Sequence, residues 1–173
     1  MKIAILGYSG CGKSTLAKYL QSHYHIPLLY LDTVQFEADW KVRDRDEALS
    51  MVAKFMENQD WIIDGNYTSF LQAERLEQAD HIIFMAFSRW NCLSRAYRRY
   101  RRYKNTSRES MAVGCKEKMD LEFVWWILYK GRTPEKKRYY DAILDKYHAK
   151  SIVLKNQREL DNFMENQHLR GKQ

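Results

Sequence analysis

Nine residues near the start of the chain, Gly7-Tyr8-Ser9-Gly10-Cys11-Gly12-Lys13-Ser14-Thr15, have the types and spacing that phosphate chemistry demands. Their order is G-x-x-x-x-G-K-S. The three glycines admit backbone torsions that side chains forbid, so successive N–H groups can turn inward around an anion. A helix starting at Lys13 would aim its positive end at the same point. Lys13 adds a full charge, and the Ser14 hydroxyl can ligate Mg²⁺. The flanks agree. Lys2-Ile3-Ala4-Ile5-Leu6 suits a buried parallel strand, and Leu16, Ala17, Tyr19 and Leu20 have helical apolar spacing. Strand, glycine loop and helix in that order predict a P-loop (Walker A) that binds a nucleoside triphosphate, ATP with Mg²⁺.

Two carboxylates end apolar runs and would reach the same crevice. Asp32 follows Pro27-Leu28-Leu29-Tyr30-Leu31. There it can orient or deprotonate an acceptor hydroxyl, or hold Mg²⁺ through water; the plainer alternative is a cap on the next turn. Asp64 follows Trp61-Ile62-Ile63 and is placed like a Walker-B acid, holding the Mg²⁺ shell near Ser14. Asp64-Gly65 is also a hairpin signal, but the residues beyond it read as helix rather than as an alternating strand.

The net charge of +7 is concentrated. Residues 89–108 hold Arg89, Arg95, Arg98, Arg99, Arg101, Arg102, Lys104 and Arg108 with no acid, a local +8 that leaves −1 for the remainder. Its partner must be an anion. On a helix over about Trp90–Tyr103, Trp90, Leu93, Tyr97 and Tyr100 form one stripe. Arg95, Arg98, Arg99 and Arg102 form another on roughly the opposite side, at about 100° per residue. The aromatic stripe is expected to pack on the sheet. The guanidiniums would then overlook the crevice, where they can spread over the oxygens of a transferring phosphoryl group. A solvated charged face and a nucleic-acid surface are the competing readings.

The elements that must position these groups alternate. Strands are expected at Lys2–Leu6, Pro27–Leu31, Trp61–Ile63, His81–Phe87 and Ser151–Leu154. Helices are expected at Lys13–Tyr24, Arg45–Asn58, Thr68–Gln78, Trp90–Tyr103, Lys116–Lys130, Pro134–Tyr147 and Arg158–Glu165. A polar, mobile loop is expected at Asn105–Gly114. Trp125-Trp126 reads first as core packing and second as a subunit contact. This is an α/β domain with a five-stranded parallel sheet covered on both faces, and ligands belong at the carboxyl ends of its strands. At 173 residues, 45% hydrophobic and with 2 prolines, one domain is expected. No apolar run would span a membrane and the first residues read as strand, not signal peptide. Cys11, Cys92 and Cys115 lack disulfide or zinc spacing and suit free thiols in the cytoplasm. Cys11 beside the loop is a small filler or an oxidation-sensitive thiol.

Over nearly its whole length the chain resembles the adenylate-kinase-like P-loop family, within it the small bacterial proteins labelled DNA topology modulation proteins. The resemblance rests on 7–15, on Tyr30-Leu31-Asp32, on Trp61-Ile62-Ile63-Asp64-Gly65-Asn66-Tyr67, and on Met111 through Asp120-Leu121-Glu122-Phe123. It implies a three-layer P-loop fold, an ATP site and a helical lid at about residues 103–133. It also gives Arg95 and Arg99 contacts to the transferred phosphate. The chain departs from adenylate kinases at two places. An aromatic, Pro and Arg after the strand-three Asp-Gly give way to Asn66-Tyr67-Thr68, and Thr-Gly-Asp after strand two gives way to Leu31-Asp32-Thr33. Those segments grip AMP, so the departures weigh against AMP as acceptor. No helix-turn-helix, zinc or other DNA-reading motif accompanies the subgroup's label.

The expectation is a cytoplasmic P-loop kinase, monomer or homodimer, passing the γ-phosphoryl group of ATP to a small acceptor, with nucleosides and nucleotides among the candidates. Lys13 and the loop would hold phosphates, Ser14 and Asp64 the Mg²⁺, and Asp32 would face the acceptor. Rival readings are a nucleotide-dependent nucleic-acid binder using 89–108 and a nucleotide-binding switch.

Overall fold

Short β-branched runs become strands here because both faces of the sheet are covered. In the computed structural model, which describes residues 1–104, 106, 108–115 and 117–166, these are β1 (Lys2–Gly7), β2 (Leu28–Tyr30), β3 (Trp61–Asp64), β4 (His81–Met85) and β5 (Ser151–Leu154). They form one all-parallel sheet in the order β2-β3-β1-β4-β5. Eight α-helices accompany it among the described residues: α1 (Lys13–Tyr24), α2 (Leu31–Gln35), α3 (Arg45–Met56), α4 (Gln72–Gln78), α5 (Arg89–Tyr103), α6 (Leu121–Leu128), α7 (Pro134–Lys146) and α8 (Gln157–Asn166).

The period of two along β1 sorts the core into two halves. Ile3 and Ile5 join Ile62, Ile83 and Met85 on one face, against α1, α5, α6 and α8. Ala4 and Leu6 join Trp61, Ile63, Ile82 and Phe84 on the other, against α2, α3 and α4, with α7 at its margin. The register pairs Ile5 with Asp64 and Gly7 with Met85. The chain therefore leaves β1 between the ends of β3 and β4, at the point where strand order reverses. Local signals agree with this frame. Asp44 caps α3 by accepting from the N–H groups of Asp46 and Glu47, a cap worth about 1 kcal/mol. Pro134 occupies the first turn of α7 behind the Thr133 cap.

Several boundaries and faces differ from expectation. β2 stops at Tyr30, so Asp32 lies in the first turn of α2 rather than at a strand end. β4 stops at Met85, two residues short of Phe87. α4 begins at Gln72, not Thr68, because Arg75 gathers the preceding loop by donating to the carbonyls of Phe70, Gly65 and Tyr67. α6 begins only at Leu121, where Asp120 accepts from the Phe123 N–H at 2.8 Å. Lys116, Asn105 and Ser107, within the expected lid, lie outside the described residues. Neither Trp125 nor Trp126 is core; both are exposed, and Ile127 is the buried residue of that helix.

The expected packing stripe of α5 is also overturned. Trp90 and Tyr97 stand 68% and 52% exposed, while Cys92 and Ala96 are buried. The cause is proximity. A Cβ on Gly10 would lie 2.6 Å from the Cys92 carbonyl oxygen, so α5 presses its backbone onto the glycine loop and admits only small residues there.

Candidate functional site

The 7–15 loop is held open by its own neighbours. Gly12 takes φ 101°, a left-handed torsion that glycine tolerates best, and α1 starts behind it with neither a side-chain cap nor an acid in its first turn. From the loop after the neighbouring strand β3, Asn66 clamps the end of β1. It accepts from the Gly7 N–H at 3.0 Å and donates to the Gly7 carbonyl at 2.7 Å. Lys13 Nζ curls over the loop and donates to the carbonyls of Gly7 (3.0 Å) and Tyr8 (3.2 Å). Cys11 is buried, and that burial pushes its thiol up, so it packs rather than reacts.

Ser14 and Asp64, fifty residues apart, meet at this loop. Ser14 Oγ donates to Asp64 Oδ2 at 2.7 Å. The other oxygen, Oδ1, is buried without a partner among the described residues. Burial pushes the Asp64 carboxyl up to about 6, Lys13 and the Ser14 hydrogen bond pull the other way, and Asp32 adds to the rise. Asp32 itself is half-buried and accepts at Oδ1 from the Tyr67 hydroxyl at 2.8 Å. Burial, then the Asp32 charge, hold that phenol well above its usual range.

With Cys92 and Ala96 as its buried face, α5 brings Arg95 and Arg99 to the same side, since 92, 95, 96 and 99 follow helical spacing. Arg95 donates to the Cys11 carbonyl at 3.1 Å, bonds Gln157 at the start of α8, and lies over the Phe87 ring at 4.6 Å. Arg99 reaches Glu117 at 2.7 Å, and Arg108 reaches the other oxygen of the same carboxylate at 2.5 Å. Burial draws both Arg95 and Arg99 below the usual guanidinium range.

Lys13, Ser14, Asp32, Asp64, Arg95 and Arg99 all line one crevice of about 1490 Å³. So do Arg98 and Arg102. The arginines expected to stand opposite the packing face instead flank it. Gly7 and Cys11 lie outside the lining and act from behind it. The crevice exceeds the roughly 300–1000 Å³ of a single small-ligand site and has room for two molecules.

Sequence reasoning missed the residues that tie this crevice together. Glu117 is the chief one, its side chain 3% exposed between two arginines. Arg132 lies 3.7 Å over the Tyr8 ring and donates to the Phe87 carbonyl at 2.7 Å. Trp126 Nε1 donates to Ser9 Oγ at 3.2 Å. An acid just beyond a run of eight cations was the one visible hint, for Glu117. No group of three or more His, Cys, Asp or Glu placed to hold a metal occurs among the described residues, and no helix among them is long and apolar enough to cross a membrane. No protein-family model matches the chain, nor does any curated protein.

Proposed function

We propose that the protein is an adenylate-kinase-like P-loop kinase that binds ATP on the 7–15 loop and transfers its γ-phosphoryl group to a small acceptor at the Asp32 end of the crevice. The observation that carries this reading is the Ser14–Asp64 pair, 2.7 Å apart beside Lys13, with Asp64 Oδ1 buried and unpartnered among the described residues. A hydroxyl and a carboxylate fit a hard cation that keeps several waters and takes its remaining ligands from phosphates, which is why no cluster of three acids is needed. Ser14 and Asp64 would hold Mg²⁺ there, and the ion would supply positive charge that offsets the charge of the phosphates. On binding, Lys13 exchanges the Gly7 and Tyr8 carbonyls for phosphate oxygens, and the uncapped start of α1 adds its N–H groups.

Asp32 Oδ1 is held by Tyr67, leaving Oδ2 to meet the acceptor hydroxyl. The acceptor O–H bond breaks, its proton passing to Asp32. The new O–P bond forms as the bond from Pγ to the β,γ-bridging oxygen breaks, and ADP leaves. Charge spreading over the phosphoryl oxygens calls for fixed cations, and Arg95, Arg99 and Arg108 line that space. The segment between α5 and α6, which contributes Arg108 and Glu117, is the lid in this reading.

Lys13→Ala tests it. The variant should lose nearly all Mg-ATP affinity in calorimetry while staying folded, since the hydrogen bonds of Lys13 go to loop carbonyls and not to the core. Unchanged affinity would remove the P-loop from the account.

A further inference from the structure

The Asp32 end of the crevice differs in chemistry from the loop end, and the difference names an acceptor class. Its walls come from the end of β2, from a turn at residues 36–42, and from the 66–69 loop. The side chains they present include Phe36, Trp40, Tyr67, Thr68, Ser69 and Asp32. Phe36 and Trp40 stack edge to face, centroids 5.3 Å apart. Trp40 sits on a backbone of positive φ (64°), preceded by Asp39 at 56°, a pair of left-handed torsions that ordinary residues avoid. Its Nε1 is buried without a partner among the described residues. A strained turn carrying an unsatisfied indole is poor packing but apt placement of a flat wall.

The one lysine of those segments, Lys41, lies outside the crevice lining and pairs with Glu37 at 3.3 Å. Arg43, just beyond the turn, bonds the Val34 carbonyl (3.0 Å) and Glu47 (2.5 Å). Arg75 is wholly buried, spent on the carbonyls of its own loop. Lys118 reaches in from beyond α5 only to lie 4.9 Å over the Trp40 ring. Arg99 and Arg108 meet Glu117 here and the transferring phosphoryl group in the reading above, so neither is left over to clamp a second phosphate. A phosphomonoester here would set nearly two negative charges beside Asp32 with Lys118, over the Trp40 ring, as the cation left to offset them. A neutral molecule meets no such penalty. Flat aromatic faces suit a planar heterocycle, and a carboxylate with two hydroxyl side chains suits a polyol.

We propose that the acceptor is an unphosphorylated alcohol carrying a planar ring, of the nucleoside class, its ring against Phe36 and Trp40 and its hydroxyl on Asp32. This rests on the kinase reading above, and the test separates the two. Calorimetry would use adenosine, guanosine, thymidine and uridine, their 5′-monophosphates, and ribose alone, with and without a non-hydrolysable ATP analogue and Mg²⁺. At least one nucleoside should bind tenfold or more tighter than both its monophosphate and ribose. Trp40→Ala should weaken that binding tenfold or more and leave the analogue's affinity unchanged. Trp40→Phe, which keeps an aromatic wall and guards against a collapsed turn, should weaken it less. A monophosphate that binds as tightly as its nucleoside overturns the proposal. So does a protein that binds the analogue but no nucleoside. Should a nucleoside bind while the analogue does not, the acceptor class stands and the kinase reading falls.

Discussion

A carboxyl enclosed beside a hydroxyl and a lysine, with one oxygen unpartnered, titrates far from an exposed aspartate. Asp64 reaches about 6, while unfolded aspartate titrates near 3.9. Between those values the folded chain binds more protons than the unfolded one, so stability falls as pH rises from about 4 to 6 and stays lower above. Asp64→Asn removes that loss. Without ligand it should be more stable than the parent by on the order of 2–3 kcal/mol at pH 8, the gap closing near pH 4; urea denaturation at the two pH values reads it. Metal needs the ionised form, so Mg-ATP affinity of the parent should climb through about pH 6 and that of the variant should stay low and flat. A parent profile without that rise would separate Asp64 from the metal. Asp32 makes a different prediction. Held by Tyr67 and hydrogen-bonded to neither Lys13 nor Ser14, Asp32→Asn should keep Mg-ATP affinity but lose phosphoryl transfer by about 10²–10⁴-fold, the usual contribution of a general base. Equal loss of ATP binding in both variants would mean one carboxylate has been assigned the wrong task. Lys13, Ser14 and Asp64 were readable because their motif is local and their strands are apolar runs. Asn66, which clamps Gly7 across fifty-nine residues, and Tyr67, which holds Asp32 across thirty-five, left no periodic trace.

At the scale of elements, α5 is where the enzyme and nucleic-acid readings part. Its face was misread from sequence because large aromatic residues were assumed to be the buried ones. The glycine loop lies too close for them, and the true contact is two small residues, Cys92 and Ala96, which no hydrophobic stripe advertises. The five strands, by contrast, were legible, since a strand buried on both faces is a short unbroken apolar run. The corrected face has consequences. Arg95, Arg98, Arg99 and Arg102 line the crevice, whereas Arg89 and Arg101 are exposed and outside it. If α5 serves phosphoryl transfer, Arg95→Ala and Arg99→Ala should each cut turnover by two or more orders of magnitude, while Arg101→Ala changes it little. A nucleic-acid surface makes the opposite demand. All the arginines should then contribute comparably, and binding of duplex or single-stranded DNA should fall steeply between 50 and 200 mM salt, conditions typical of such titrations. Filter binding alongside turnover of the three variants discriminates. Tight, salt-sensitive DNA binding with equal losses at all three positions would remove the catalytic role of this helix.

At the scale of the whole molecule, one carboxylate ties together two stretches that line the crevice. Glu117 joins Arg99 near the end of α5 to Arg108 in the following segment. That segment is fastened across the opening elsewhere: Cys115 Sγ contacts the Glu37 carbonyl at 3.2 Å, Lys118 covers Trp40, and Lys18 of α1 pairs with Glu109 at 2.5 Å. The last pair is exposed and contributes little. The Glu117 pair differs because the acid is nearly sealed from water, and removing one partner of a buried pair costs about 3–5 kcal/mol by leaving charge uncompensated. Both arginines also line the crevice, so in the kinase reading the carboxylate stands where a phosphoryl group's oxygens would be met. Glu117→Gln should therefore loosen the closure without touching the sheet. Amide exchange should speed up across 108–115 by tenfold or more, while the strand amides of β1, β3 and β4 keep the parent's protection. Mg-ATP should restore slow exchange in that stretch, because phosphate oxygens supply the partner that glutamine cannot. If exchange instead rises uniformly through the sheet, Glu117 is part of the global core and not the tie of a separable cover. If it rises locally but Mg-ATP leaves it fast, Arg99 and Arg108 do not meet the nucleotide's phosphates, and their place in the transfer step is lost.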